Sequence, residues 1–342
     1  MTLGPLAIPR LCRYGTRLAV VLAAVLLALG LGEWAVRRLL PAFDPSGQVR
    51  LVRQGELVLG VPDSRARQRK NTGDYDVGVR FGPRGFRDPR DVAEAQPSDL
   101  LVVGDSFAFG WGVEEDERWS NRLEVHSRQR SFNIAMPGQN LDGYDRLLRH
   151  ARALGSRSVH LIVSLCMEND VGTYGEAGAM LAEPPPGSLS PAGSWIPVAK
   201  LGLGEHSALY GLITEAVHRT PLLERLAERL GLVQPNLGAV GTRLVTEQSV
   251  AATADRLAVL ARGYETTVLL VPSRALWIER SAVEADRLHR AMVAALVGRG
   301  LAVVDPRAAF EAGGEPLAVH FANDGHWNEH GHRIAAECLA HR

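Results

Sequence analysis

The run Leu101-Val102-Val103-Gly104-Asp105-Ser106-Phe107 constrains this chain more than any other stretch. A short apolar run rich in Val and Leu, ended by glycine, reads as a strand buried on both faces, as in a parallel sheet. A serine just past the carboxyl end of such a strand stands where open α/β sheets place their ligands. The continuation Phe107-Ala108-Phe109-Gly110-Trp111-Gly112-Val113 is too rich in glycine and aromatics for a regular helix start and reads as a loop beside a site.

From residue 99 onward the pattern alternates. Apolar runs at 100–104, 131–135, 158–165, 266–271 and 301–305 predict strands, and helical periodicity marks 117–128, 142–154, 249–262 and 283–298. Such alternation argues an α/β fold, a three-layer α/β/α sandwich around a five-stranded parallel sheet. The interval 171–248 breaks the rhythm. A Pro/Gly/Ser-rich loop opens at Glu183-Pro184-Pro185-Pro186-Gly187, and residues 205–231 then read as helix, with Leu209, Leu212, Ile213, Val217, Leu222, Leu226 and Leu230 as its apolar positions. Long structureless loops are uncommon unless functional, so the interval reads as an insertion that lids or flanks the site, its helical stripe serving packing.

Residues 1–17 carry Arg10, Arg13 and Arg17 and precede an uncharged run from Leu18 to Gly32. A membrane span needs about 20 residues. Trp34, Ala35, Val36, Leu39 and Leu40 extend the run, Arg37 and Arg38 can snorkel, and Glu33 is the awkward member. The preferred reading is one uncleaved N-terminal transmembrane helix over 18–40. A cleaved signal peptide is the alternative, with Gly30-Leu31-Gly32 a poor small-x-small site. Basic residues flank both ends, so charge does not decide the orientation. Residues 41–98 are polar and punctuated by Pro and Gly, with short strands suggested at Leu51-Val52-Arg53 and Glu56-Leu57-Val58-Leu59. They read as a stalk packing on a domain at 99–342, or as a plain linker.

Lys+Arg and Asp+Glu total 38 each, so no global field draws the chain to nucleic acid. Cys12, Cys166 and Cys338 have no metal-ligand spacing. Cys166 at a strand end and Cys338 in the last helix read as buried thiols rather than a bridge, and Cys12 lies ahead of the usual lipid-attachment position. No Walker loop is present, and Gly110-Trp111-Gly112 lacks the third glycine of a dinucleotide loop.

A serine hydroxyl is a weak nucleophile and needs a base within hydrogen-bond reach, itself oriented by a third group. The base candidate sits at the other end of the chain, in Asn323-Asp324-Gly325-His326-Trp327-Asn328-Glu329-His330-Gly331-His332. Asn328 is a good N-cap. It starts a terminal helix with Ile334, Ala335, Cys338 and Leu339 on one face, which leaves His326 in the preceding loop. His326-Trp327-Asn328-Glu329-His330 also matches a His-x-x-Glu-His zinc pattern. That chemistry needs the motif inside a helix and a further carboxylate downstream, and only Glu337 remains. No metal is assigned, and His330 and His332 read as surface helix residues.

Gly104-Asp105-Ser106-Phe107 resembles the first block of the GDSL, or SGNH, esterase and lipase family. The longer run to Val113, with Val79-Arg80-Phe81-Gly82-Pro83-Arg84-Gly85-Phe86-Arg87 before it, is similar to a membrane-anchored bacterial branch. Asn133-Ile134-Ala135-Met136-Pro137-Gly138-Gln139-Asn140 resembles the second block. Met167-Glu168-Asn169-Asp170 resembles the third, with Met167 where relatives often have Gly, and the His326 segment resembles the last. The usual spacing there is Asp-x-x-His. Here Asn323 stands three before His326 and Asp324 two before, which is similar to the branch that includes polysaccharide acetylation proteins.

The resemblance spans residues 80–342 with the insertion unmatched. It implies a flavodoxin-like SGNH hydrolase fold and acyl transfer. Ser106 is then the nucleophile, His326 the base and Asp324 the orienting acid, with a Ser–His dyad oriented by a backbone carbonyl as the fallback. The Ser106 N–H, the Gly138 N–H and Asn169 would form the oxyanion hole, glycine allowing close approach at 138. The resemblance implies no cofactor, a cytoplasmic amino terminus and a catalytic domain on the periplasmic side of the inner membrane. The expected substrate is an acylated small molecule, glycan or lipid. Three functions stay open: an esterase removing a short acyl or acetyl group from an envelope glycan or lipid, an O-acyltransferase on envelope polysaccharide, and a non-catalytic glycan- or partner-binding protein.

Overall fold

The computed structural model describes residues 8–172, 203–204, 206–230, 232, 245–278 and 281–342. Much of the interval 171–248, with the Pro-rich loop from Glu183, and the side chain of Cys12 lie outside the described residues. The chain opens with helix α1, Ile8–Leu39. Its stretch Arg17–Leu39 is long and apolar enough to cross a membrane, and its side chains lie almost wholly outside the folded core. Two antiparallel hairpins follow: β1 (Leu51–Gln54) with β2 (Leu57–Gly60), and β3 (Arg65–Arg69) with β4 (Asp76–Arg80). Leu59, Val79, Phe81 and Phe86 from this segment lie in the same hydrophobic core as the central sheet.

Strand β5 (Leu100–Val103) leads through α2 (Ser106–Phe109) and α3 (Trp119–Ser127) to β6 (Ser131–Asn133), then through α4 (Leu141–Leu154) to β7 (His160–Cys166). Helices α5 (Ala208–His218) and α6 (Pro221–Arg229) belong to the insertion. The chain continues through α7 (Glu247–Leu260), β8 (Glu265–Val271), α8 (Ala282–Val297), β9 (Ala302–Val304) and α9 (Arg307–Ala312). It closes with a small hairpin, β10 (His320–Phe321) and β11 (Asp324–Trp327), and α10 (Glu329–Ala340).

The central sheet has the order β6-β5-β7-β8-β9, and its pairs are all parallel. Helix α3 packs on α10 over one face, and α4, α7 and α8 succeed one another over the other. Covered on both faces, the strands can be apolar throughout, as Leu100–Val103 and Val268–Val271 are. The five strands and four helices read from the sequence are all present, their ends moved by at most two residues. Strand β5 is flanked by β6 on one side and β7 on the other, so the winding reverses at its carboxyl end. That is where a doubly wound sheet opens a crevice, and Ser106 follows directly.

Four expectations change. The helix expected over 205–231 is two helices, because Pro221 lacks the N–H a continuing helix needs and disfavours helical backbone before it. Residues 107–113 are not all loop. Ser106–Phe109 form one helical turn, capped by the Asp105 side chain on the Phe107 N–H and ended by Gly110 at φ 80°. His326 lies on β11 rather than in a loop. His332, expected at the surface, is buried where α10 meets α3, its Nδ1 accepting the Trp119 N–H at 3.3 Å.

Candidate active site

The turn after β5 is built on close contact. A Cβ at Gly104 would lie 2.7 Å from the Ala108 Cβ and 2.8 Å from the Ser164 Cβ, so only glycine lets α2 fold back against β7. Asp105 is fully buried. One carboxylate oxygen accepts the Phe107 N–H at 2.9 Å and the other accepts Asn169 Nδ2 at 2.9 Å. Burial raises its pKa above the ordinary carboxylate range, and these hydrogen bonds offset part of that rise. Ser106 is thus presented by a turn with little freedom to move.

The partner comes from the far end of the chain. On a strand, residues two apart face the same side. Asp324 and His326 lie on β11 in that relation, which is why the two-residue spacing works where a three-residue one would point the carboxylate away. His326 Nε2 lies 2.7 Å from Ser106 Oγ. The other ring nitrogen, Nδ1, bonds Asp324 Oδ1, which also accepts the His326 N–H at 3.1 Å. The rings of Phe107 and Trp111 flank the imidazole, with centroids 5.2 and 5.9 Å away.

The second oxygen of Asp324 is held by residues on the connection from β3 to β4. Lys70 Nζ is 2.9 Å from Oδ2, and the Tyr75 hydroxyl donates to the same oxygen at 3.1 Å while accepting from Trp111 Nε1 at 2.7 Å. Burial alone would raise the Asp324 pKa. The His326 hydrogen bond and charge, with Lys70 behind them, outweigh it and keep the carboxylate well below its ordinary range. Burial and the Asp324 charge push the Tyr75 hydroxyl far up, so it stays a donor. Neither Lys70 nor Tyr75 was singled out from the sequence. The available signal was compositional, since Lys70 is one of two lysines, with Lys200, in a chain whose other basic residues are Arg.

Gly138 sits in an exposed loop after β6, tied to the Ser106 turn by the Met136 N–H to the Gly104 carbonyl at 3.1 Å. Its φ is 71°, and no atom lies within 4 Å of a Cβ built on it. Glycine is therefore required there by left-handed backbone rather than by crowding from the protein. Asn169 follows β7 and reaches the site through Asp105. The His-x-x-Glu-His residues are split between β11, which carries His326 bonded to Ser106, and α10, which carries Glu329 and His330, the latter bonded through Nδ1 to Arg333.

Residues 102–334 match the profile of the GDSL-like lipase/acylhydrolase family. No curated protein matches the sequence. Among solved structures the fold is similar to a member of the lipolytic protein G-D-S-L family from Veillonella parvula DSM 2008, at 12% identity and TM-score 0.39, covering 71% of this chain and 96% of that one. It is also similar to a GDSL-like lipase from Bacteroides thetaiotaomicron VPI-5482, at 11% identity and TM-score 0.37, covering 73% and 92%.

Proposed function

Because the chain belongs to the GDSL-like lipase/acylhydrolase family, we propose that it is a serine hydrolase that cleaves a carboxylic ester through an acyl-Ser106 intermediate. The observation that carries this reading is the unbroken chain from Ser106 Oγ through the imidazole to the Asp324 carboxylate. His326 Nε2 takes the hydroxyl proton as Oγ attacks the ester carbonyl. The oxyanion forms against the Ser106 and Gly138 N–H groups and the Asn169 amide, each worth ~3 kcal/mol of transition-state stabilisation. The imidazolium returns its proton to the departing alkoxide. Water then attacks the acyl-serine by the same route and releases the acid, restoring Ser106. Asp324 keeps the imidazole in the tautomer that presents Nε2 as acceptor to Ser106 and stabilises its charge once it is protonated.

We also infer that α1 is an uncleaved anchor holding the domain at the outer face of the inner membrane. It runs without a break into contacts with the folded domain, Val36 being buried and Arg37 donating to the His206 carbonyl at 2.7 Å. The hydrolase reading is tested by Ser106→Ala and His326→Ala in the full-length protein. Each should lower kcat/KM for 4-nitrophenyl acetate by at least ~1000-fold with an unchanged circular-dichroism spectrum. Activity surviving in either variant removes the assignment.

A further inference from the structure

The turn at residues 70–75 that grips Asp324 is itself held from outside the sheet domain, by helix α5 of the insertion. Glu215, toward the carboxyl end of α5, is only 6% exposed. Both of its oxygens are engaged: Oε1 accepts Arg219 Nε at 2.8 Å, and Oε2 accepts Arg69 Nη2. Burying a carboxylate is costly unless it is paired, and an apolar residue would serve for packing alone. Arg69 is the last residue of β3. It also donates to Asp76, the first residue of β4, Nη1 to Oδ2 at 3.2 Å. Its guanidinium lies over Phe43, 3.7 Å from the ring centroid. One ion pair from α5 thus fixes the arginine that brackets both ends of the turn.

The apex of the turn is covered as well. Gly73 has a φ of 81°, and a Cβ there would lie 3.0 Å from Arg219 Nε and 3.5 Å from Glu215 Cγ. Within the turn the Lys70 N–H donates to the Tyr75 carbonyl at 3.1 Å and the Gly73 N–H to the Lys70 carbonyl at 3.0 Å. Turns with few contacts of their own open easily unless something packs on them. Three groups of this one reach the hairpin that carries the acid. Lys70 Nζ and the Tyr75 hydroxyl meet Asp324 Oδ2, and Asp74 Oδ1 accepts the Asn323 N–H at 3.0 Å. The other end of α5 packs on α1, where a Cβ at Gly32 would lie 3.2 Å from Leu209 Cδ2. Helix α5 therefore stands between the N-terminal helix and the turn, behind Asp324 on its Oδ2 side.

Resting on the esterase reading, we propose that α5 braces Asp324 in its working position, with Glu215 a positioning residue that acts through Arg69 and the 70–75 turn. The test uses full-length protein in detergent and 4-nitrophenyl acetate. Glu215→Ala should lower kcat about fivefold with KM little changed, because the turn orients Asp324 and does not bind the ester. The same substitution made on top of Lys70→Met and Tyr75→Phe, which already release Asp324, should cost less than about twofold. Melting temperature confirms the fold of each protein. A merely structural role for Glu215 gives equal losses in the two backgrounds, and equal losses overturn the proposal, as does an unchanged kcat in the first. Both results leave the esterase reading standing. That reading fails separately, if cleavage survives Ser106→Ala, and the brace falls with it. Should a variant not fold, or the doubly substituted background not turn over, amide exchange of the wild-type protein decides. A turn that depends on α5 cannot outlast it, so the Gly73 amide should exchange no more slowly than the most protected amide of α5. Slower exchange at Gly73 overturns the proposal.

Discussion

Asp324 is shared between two sides of the molecule, and its two oxygens do different work. Oδ1 faces the imidazole, while Oδ2 is held by Lys70 and Tyr75. Lys70 helps keep that carboxylate ionised. The charges near the pair are Asp105 beneath Ser106, Asp74 bonded to the Asn323 N–H and Arg274 over Gly325, and the rings of His320 and His332 nearby are neutral. Lys70→Met leaves Asp324 Oδ2 with one partner fewer and should lower kcat/KM by about tenfold. An unchanged kcat/KM would show that Lys70 does not hold Asp324 in place. Tyr75→Phe should cost about tenfold in kcat, and Asp324→Asn more than that but less than His326→Ala. Asn323→Ala should be silent, since Asn323 bonds Asp74 through its backbone alone. A second residue-scale effect concerns stability. Burial holds His320 at about 4 and His332 well below its ordinary value. As pH falls from about 6.5 toward 4 the unfolded chain takes up protons that the folded one refuses, so stability drops by up to ~1.4 kcal/mol per pH unit for each ring. His320→Leu should flatten that slope in melting curves taken across the window.

At the scale of elements, Glu33 shows what a local reading of the chain can and cannot reach. In the sequence it is an acidic residue spoiling an apolar run. In the fold it caps α5: Oε1 accepts the Ala208 N–H at 2.9 Å, and Oε2 accepts the Leu209 N–H at 2.9 Å and the Ser207 hydroxyl at 2.8 Å. Arg37 beside it bonds the same carboxylate and Asp44. Helix termini leave N–H groups orphaned, and here the acceptor comes from another helix. Glu33→Ala should weaken the start of α5 by about 1 kcal/mol, seen as roughly fivefold faster amide exchange at 208–210. Exchange that is unaltered would mean the contact is incidental. Periodicity and breaker residues were enough for the five strands and four helices of the sheet domain, because each is decided within its own span. The cap, the burial of His332 and the clamp on Asp324 are decided by residues tens to hundreds of positions apart, and no spacing rule carries them. The Ser106, Asp324 and His326 trio was legible only because a motif resemblance stands in for that missing distance.

At the scale of the whole molecule, the segment ahead of the sheet is structural to the site. Arg87 is 1% exposed and makes no ion pair among the described residues. Its guanidinium instead donates to the carbonyls of Phe109, Gly110, Gly78 and Val113. Those oxygens belong to the end of α2, the loop after it and β4, so one side chain staples the hairpin segment to the Ser106 turn. Burial, then the neighbouring Arg118, pushes its pKa down to about 9, which still leaves it charged at neutral pH. Arg118 in turn donates to the Arg87 carbonyl at 2.7 Å. Removing the guanidinium orphans several buried carbonyls at roughly 1–3 kcal/mol each, a large share of the 5–15 kcal/mol that holds a typical domain together. Arg87→Leu should thus lower the denaturation midpoint steeply. It should also release Trp111 and Tyr75, so that residual folded protein shows the lowered kcat expected of Tyr75→Phe. Arg149→Leu, which breaks an exposed pair with Asp145 on α4, should change stability by no more than ~0.5 kcal/mol. If the two variants behaved alike in urea unfolding, the hairpin segment would be an appendage, and the geometry around Ser106 would have to be maintained by the sheet alone.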